Sequence, residues 1–157
     1  MIKLFAMDVD GTLTDGGLIL HGAGGESKRF DVQDGLGIVR LQAAGVEVAF
    51  VSGRRSPATL RRADELGVRV CRQGVGDKLA VLQELAAERG LDASEVAFAG
   101  DDLNDVACLR WAGWGVAVAN AVAEAKDAAD VVTRASGGAG ALREAAELLL
   151  KRVSAGA

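Results

Sequence analysis

Ile2-Lys3-Leu4-Phe5-Ala6-Met7-Asp8-Val9-Asp10-Gly11-Thr12 stands near the head of the chain, an apolar run that stops at two carboxylates and a glycine. A run this short, followed at once by a turn residue, reads as a buried strand over residues 2–7 whose carboxyl end carries Asp8 and Asp10. The same grammar recurs downstream. Short apolar or β-branched runs at 46–51, 68–71, 96–99 and 115–118 alternate with stretches at 36–44, 57–66, 78–89 and 103–111, where apolar residues return every three or four positions. Buried strands alternating with crossover helices predict an α/β fold, a doubly wound parallel sheet of Rossmann-like type. Pro57, the only proline, suits the first turn of the helix it opens.

Two segments depart from that rhythm. Residues 16–30 hold the strand-like Leu18-Ile19-Leu20, the turn Gly22-Ala23-Gly24-Gly25 and a second run ending at Phe30, the pattern of a small β-hairpin flap. Near the end, Gly137-Gly138-Ala139-Gly140 reads as a turn feeding an amphipathic helix over 141–151, with residues 154–157 frayed. The connections between strands are of ordinary helix length and leave no room for an inserted cap. Residues 1–157 are therefore expected to form a single domain without a cap domain.

Half of the 157 residues are hydrophobic, enough to bury a core without disulfides or metal staples. A net charge of −4 argues against nucleic acid and anionic membrane, both of which attract basic faces. Tyrosine is absent and aromatics are scarce, which leaves little material for base stacking. Cys71 and Cys108 are far apart and in no CxxC spacing, so they read as core thiols in a reducing compartment. Charges at Lys3, Asp8 and Asp10 arrive too early for a signal peptide, and the longest uncharged stretch, 111–123, is short of a membrane span. A cytoplasmic protein acting on a small molecule is the expectation.

Chemistry gathers at the predicted strand ends, where open α/β sheets bind ligands. Gly11 lets the chain turn directly after Asp10, bringing Asp8 and Asp10 toward one point, and crowded acids need a cation or a shared proton. A hard cation, most simply Mg²⁺, resolves the repulsion and can hold a phosphate oxygen as well; an Asp-Gly turn with a solvated neighbour is the plainer alternative. Gly100-Asp101-Asp102-Leu103-Asn104-Asp105 repeats the arrangement after residues 96–99: Asp101 or Asp102 can complete a metal shell while another of these acids caps the next helix. Ser52, Gly53 and Arg54 precede the helix at Pro57 and are read as an anion site at a helix N-terminus, although a serine turn fits too. Lys78 opens a helix, where a cation opposes the macrodipole, so its placement calls for another partner such as a phosphate and an attacking carboxylate. Each signal alone has an ordinary explanation, but four at successive strand ends are not an accident of composition.

Together, Asp8-x-Asp10-Gly11-Thr12, Ser52-Gly53-Arg54, Lys78 and Gly100-Asp101-Asp102-x-x-Asp105 resemble the four motifs of the haloacid dehalogenase superfamily over almost the whole chain. That resemblance implies a Mg²⁺-dependent phosphatase in which Asp8 attacks phosphorus and Asp10 protonates the leaving alkoxide, then activates water. It assigns Ser52, Gly53 and Lys78 to phosphate, and the metal to the Asp8 side chain, the Asp10 backbone carbonyl and Asp101, with Asp102 and Asp105 in support.

A narrower resemblance lies in Gly25-Glu26-x-Lys28-x-Phe30-x-x-x-Asp34-Gly35-x-Gly37-Ile38, Gln73-Gly74-Val75-x-Asp77-Lys78 and Gly137-Gly138-x-Gly140-Ala141-x-Arg143-Glu144. These are similar to the capless 3-deoxy-D-manno-octulosonate 8-phosphate phosphatases and their relatives acting on nine-carbon acylneuraminate or KDN 9-phosphates. The resemblance implies a homotetramer whose flap and C-terminal tail cover a neighbour's active site. It leans to the eight-carbon substrate through Arg54 and makes Arg62 a substrate-facing residue, a guanidinium being suited to a sugar carboxylate. Two other classes compete. A signalling receiver domain places its acceptor aspartate at the third strand, where this chain has Cys71-Arg72-Gln73. A non-catalytic domain partnering a sugar-nucleotide synthetase has no need of a complete motif set.

Overall fold

The computed structural model describes residues 1–156. Its main sheet has six parallel strands in the order β5-β4-β1-β6-β7-β8, built from β1 (Leu4–Met7), β4 (Glu47–Val51), β5 (Val70–Arg72), β6 (Val96–Gly100), β7 (Trp114–Ala117) and β8 (Val131–Val132). β1 lies between β4 and β6, with Phe5 opposite Val48 on one side and Ala97 on the other. The chain winds outward from β1 through β4 to β5 and then returns to the other side at β6. The carboxyl end of β1 is thus the switch point, where such sheets open a crevice.

Helices α1 (Val32–Ala43), α2 (Pro57–Glu65), α3 (Lys78–Glu88), α4 (Val106–Trp111), α5 (Ala123–Ala128) and α6 (Ala141–Ala155) supply the crossovers and the closing layer. All four residues of β1 are fully buried, as are Val48–Val51 and nearly all of β6, because helices cover both faces. Phe5, Phe50, Phe98 and Trp114 anchor that core, each fully buried large side chain contributing about 1.5–3 kcal/mol.

The expected strands all form, with ends shifted by one or two residues. The larger departures have identifiable causes. Helix α1 begins at Val32 rather than 36, because the Asp31 side chain accepts the N–H groups of Gln33 and Asp34 and caps it. Its glycines, which argue against a helix by propensity, permit close approach: a Cβ on Gly35 would stand 2.4 Å from Arg62 Nη2. The 103–111 segment splits into a 3₁₀ turn, Leu103–Asp105, and the short α4. Helix α6 runs on to Ala155, so Ser154 and Ala155 are helical rather than frayed, and Ala157 lies outside the described residues. Helix α5 and the edge strand β8 were not anticipated; six and two residues carry too little periodicity to register. The flap forms as two-residue strands, β2 (Ile19–Leu20) and β3 (Glu26–Ser27), paired antiparallel.

Candidate active site

Three loops leaving β1, β4 and β6, with the head of α3, meet at the carboxyl edge of the sheet. Asp8 follows β1 directly, its N–H donating to Ala99 O at 3.0 Å, so the neighbouring β6 fixes its position. The next residues wind tightly: the N–H groups of Thr12, Leu13 and Thr14 all donate to Val9 O. Gly11 takes φ +91° in that turn, and a Cβ there would sit 2.1 Å from Asp101 Oδ2. The glycine is needed for its conformation and also for the room it leaves Asp101.

Lys78 is the hub. It is the first residue of α3, with Asp77 as the cap whose side chain accepts from Ala80 N–H. Its Nζ donates to Asp8 Oδ1 and Asp105 Oδ1, each at 2.8 Å, in a buried setting. The cation placed against its helix dipole is thereby explained by two carboxylates. Asp105 Oδ2 accepts the N–H groups of Asp101 and Asp102, so both of its oxygens are engaged. Asp102 is the acid that caps, accepting from Leu103 N–H at 2.7 Å. Thr12 Oγ1 donates to Asp101 Oδ1 at 2.8 Å, tying the β1 and β6 loops together.

Carboxylate oxygens of Asp8, Asp101 and Asp105 lie within 4.8 Å of one another. Burial pushes the Asp8 carboxyl up to about 7, with the Lys78 ammonium pulling the other way and Asp101, within hydrogen-bond reach, raising it further. Burial likewise raises Asp101 and Asp105, the latter also through the nearby Asp8 charge. Burial works against the Lys78 ammonium, yet Asp8 and Asp105 outweigh it and hold its pKa above the ordinary lysine value. When ionised, three carboxylates and one ammonium leave two negative charges at one point, which is the charge a hard divalent cation offsets. Because Asp105 is fully engaged, Asp8 and Asp101 are the side chains with oxygens to offer such an ion.

Asp8, Asp10, Ser52, Gly53, Arg54, Lys78 and Asp102 line one cavity of about 320 Å³, with Leu18 of the flap on its rim. Larger hollows elsewhere, such as that between Gln42 and Arg69, gather no comparable set of charged groups. Ser52 reaches the cavity differently from the expectation. The α2 cap is Ser56, four residues on, so Ser52 lies in the preceding loop, where its Oγ accepts from Arg54 N–H at 3.2 Å. The serine turn forms, and the helix terminus expected at Ser52 lies at Ser56 instead.

Arg54 lies at the cavity mouth, its Nε donating to both carboxylate oxygens of Glu26 on β3, at 2.8 and 3.0 Å. Arg62 is not brought into this cavity. It lies over Phe30 in an adjoining recess, with Nη2 donating to Asp31 O at 3.3 Å. Other contributors went unread in the sequence. Lys28 on the flap donates to Asp10 Oδ1 at 2.7 Å, and the Glu26-x-Lys28 spacing, which on an extended segment turns both side chains to one side, was the available signal. Asn120 donates to Gly11 O and accepts from Gly137 N–H, bridging the β1 loop to the glycine turn. Its only signal was its place just beyond β7, at another strand end.

A family model described as a haloacid dehalogenase-like hydrolase matches residues 70–142. The chain is 40% identical over 149 residues to the 3-deoxy-D-manno-octulosonate 8-phosphate phosphatase KdsC of Yersinia pestis, covering 95% of this chain and 80% of that protein. Against the KdsC of Escherichia coli K12 the identity is 39%, covering 95% and 79%. Among solved structures, the 3-deoxy-D-manno-octulosonate 8-phosphate phosphatase of Moraxella catarrhalis, in complex with magnesium ion, phosphate ion and KDO, superposes with a TM-score of 0.94. It is 46% identical, covering 96% of this chain and 86% of that one. The cobalt-bound Haemophilus influenzae enzyme gives 0.93 at 38% identity, covering 98% and 90%.

Proposed function

Because the chain belongs to the 3-deoxy-D-manno-octulosonate 8-phosphate phosphatases within the haloacid dehalogenase-like hydrolases, we propose that it hydrolyses the phosphate monoester of a sugar acid, with 3-deoxy-D-manno-octulosonate 8-phosphate as substrate. The observation that carries the reading is Asp8, a buried carboxylate at the switch point of the sheet, fixed on one oxygen by Lys78 and facing Asp101. Residues 1–157 act as a single catalytic domain.

An Asp8 oxygen attacks phosphorus as the bond from phosphorus to the sugar oxygen breaks. Asp10 gives that oxygen its proton, then takes one from the water that cleaves the aspartyl-phosphate and frees Asp8. Splitting the displacement through a covalent intermediate suits a positioned carboxylate, and the acid–base help from Asp10 is worth roughly 10²–10⁴-fold. The Ser52 hydroxyl, the Gly53 N–H and Lys78 hold the phosphoryl oxygens, Lys78 from a site where two carboxylates already orient it. The Asp8 side chain, the Asp10 backbone carbonyl and Asp101 would hold Mg²⁺, which when bound supplies neutralisation of phosphoryl charge. Asp105 holds Lys78 in place, and Asp102 holds the turn that presents Asp101.

The sugar acid is met by Arg54, once released from Glu26, and by Arg62 of the adjoining recess. A homotetramer would use the flap as a lid on a neighbouring site, a role supported by Ile19 and Leu20, which stand about two-thirds exposed. The glycine turn and α6 pack on their own chain: a Cβ on Gly137 would meet Gly11 O at 2.3 Å, and α6 buries its apolar face against α1. The lid therefore rests on the flap, and sedimentation as a monomer at micromolar concentration would remove it. The described residues include no helix long and apolar enough to cross a membrane, in keeping with action in the cytoplasm.

Asp8→Asn tests the function. Mg²⁺-dependent phosphate release from 3-deoxy-D-manno-octulosonate 8-phosphate should fall by at least about 10³-fold, the scale on which removing a covalent nucleophile acts. Unimpaired turnover would exclude the covalent route.

A further inference from the structure

Lys28 occupies an unusual place for a lysine. Its side chain is fully buried just after β3 of the flap, with Nζ 2.7 Å from Asp10 Oδ1 and 3.7 Å from Glu26 Oε2. A buried ammonium persists only where carboxylates offset it, and here the offset is shared between a flap residue and the residue assigned as acid and base. Lys28 lines the recess of Arg61 and Arg62, not the cavity of Asp8 and Lys78. It reaches the chemistry through Asp10, not by touching the phosphoryl group. Glu26 in turn accepts from Arg54, so an unbroken chain of charges, Arg54, Glu26, Lys28 and Asp10, ties the β4 loop to the β1 loop across the flap.

We propose that Lys28 is the positioning residue of Asp10: its ammonium fixes Oδ1, leaves Oδ2 to exchange the proton, and ties the base of the flap to the acid. This rests on the phosphatase reading above. In the first step an Asp8 oxygen bonds to phosphorus, and the electron pair of the breaking bond goes to the sugar oxygen. The Asp10 proton moves to that oxygen, leaving Asp10 as a carboxylate beside a cation already in place. A fixed charge aimed at where charge develops needs no reorganisation at the moment of reaction.

A leaving group that needs no proton separates this role from general damage to the fold. kcat/KM reports the steps through formation of the aspartyl-phosphate, so it reads the proton delivery to the leaving group. Lys28→Met should lower kcat/KM for the sugar-acid phosphate, whose leaving group is an alkoxide, by about 10²-fold, the scale on which a misplaced reacting group acts. For p-nitrophenyl phosphate, whose phenolate departs unprotonated, the fall should stay within about threefold. Lys28→Met should also cost little more in a background that already carries Asp10→Asn, since two residues acting as one unit are not additive. Lys28→Arg keeps the cation and should recover most of the alkyl rate.

Equal losses on both substrates, or full multiplication of the two substitutions, would overturn the role of Lys28 and leave the phosphatase standing. Wild-type protein inert toward both substrates with Mg²⁺ present would instead fault the phosphatase reading. Thermal melting checks that each variant folds. If Lys28→Met does not, Lys28→Gln, which keeps a donor to Asp10, carries the same two-substrate comparison with an expected bias of about tenfold, and equal losses there overturn the proposal as well.

Discussion

The strand-end cluster and the flap each bury a lysine against an aspartate of the β1 loop, yet they are built in opposite ways. Lys78 stands at the head of an eleven-residue helix and meets Asp8, directly after the buried β1, and Asp105, in the 3₁₀ turn that follows the buried β6. Lys28 follows directly on a hairpin of two-residue strands, and what fastens that hairpin is largely charge: Lys28 to Asp10 and Glu26 to Arg54. A hairpin that small has little stability of its own. In the cluster, electrostatics is mounted on a packed core. In the flap, electrostatics is the mounting. Substitutions in the first should cost stability and activity together, and those in the second mainly activity.

Lys78→Met gives the largest effect and strikes the first half of that contrast. It leaves Asp8 and Asp105 buried with no cation, and breaking a buried pair by removing one partner costs about 3–5 kcal/mol. Urea unfolding in chelator at neutral pH should show that loss, and turnover should fall by about 10²–10³-fold or more as a phosphate-stabilising cation disappears. A variant as stable as the wild type would mean that the cluster is not mounted on the core as described.

Next in size is the pH response of the metal-free protein. Burial raises the Asp8 carboxyl from 3.8 to about 7, and Asp101 and Asp105 shift upward too. The folded state therefore holds more protons than the unfolded state between about pH 4 and 7. The stability this confers is fully present below the unfolded value and is lost as pH rises through the folded one. In chelator the melting temperature should drop by a few degrees from pH 5 to pH 8. Added Mg²⁺ binds the ionised acids, so its stabilising increment should grow over the same range. An increment that shrinks as pH rises would place the ion elsewhere.

The same contrast governs what could be read in advance. Five of the main strands and all four chemical signals were legible, because a strand end fixes both the direction and the company of its next residue. Asp8 and Asp101 are neighbours for that reason alone. What escaped depends on partners distant in the chain and unmarked locally. Asp31 capping α1 was hidden by glycines whose purpose, room for Arg62, appears only once α1 and α2 pack together. Asn120 looked like a loop residue until Gly11 and Gly137 arrived on either side of it. Arg62, assigned to the substrate by resemblance, lies in a recess of its own against Phe30 and Asp31, a position no local pattern marks. Lys28 belonged to a matched run of residues, but a run does not say what its lysine touches.

Arg54→Met should give the smallest effect on stability and sharpens the flap side of the contrast. Arg54 offers a single nitrogen, Nε, to Glu26, and its side chain is 43% exposed, so water competes for the same interaction. Exposed pairs of this kind contribute about 0–1 kcal/mol. Glu26 also keeps Lys28 at 3.7 Å when Arg54 is gone, and is not left as an unpaired buried charge. Urea unfolding of Arg54→Met should therefore move by less than about 1 kcal/mol. A loss approaching that of Lys78→Met would show the flap to be part of the folded core, and the division between a packed site and a charge-fastened lid would fail.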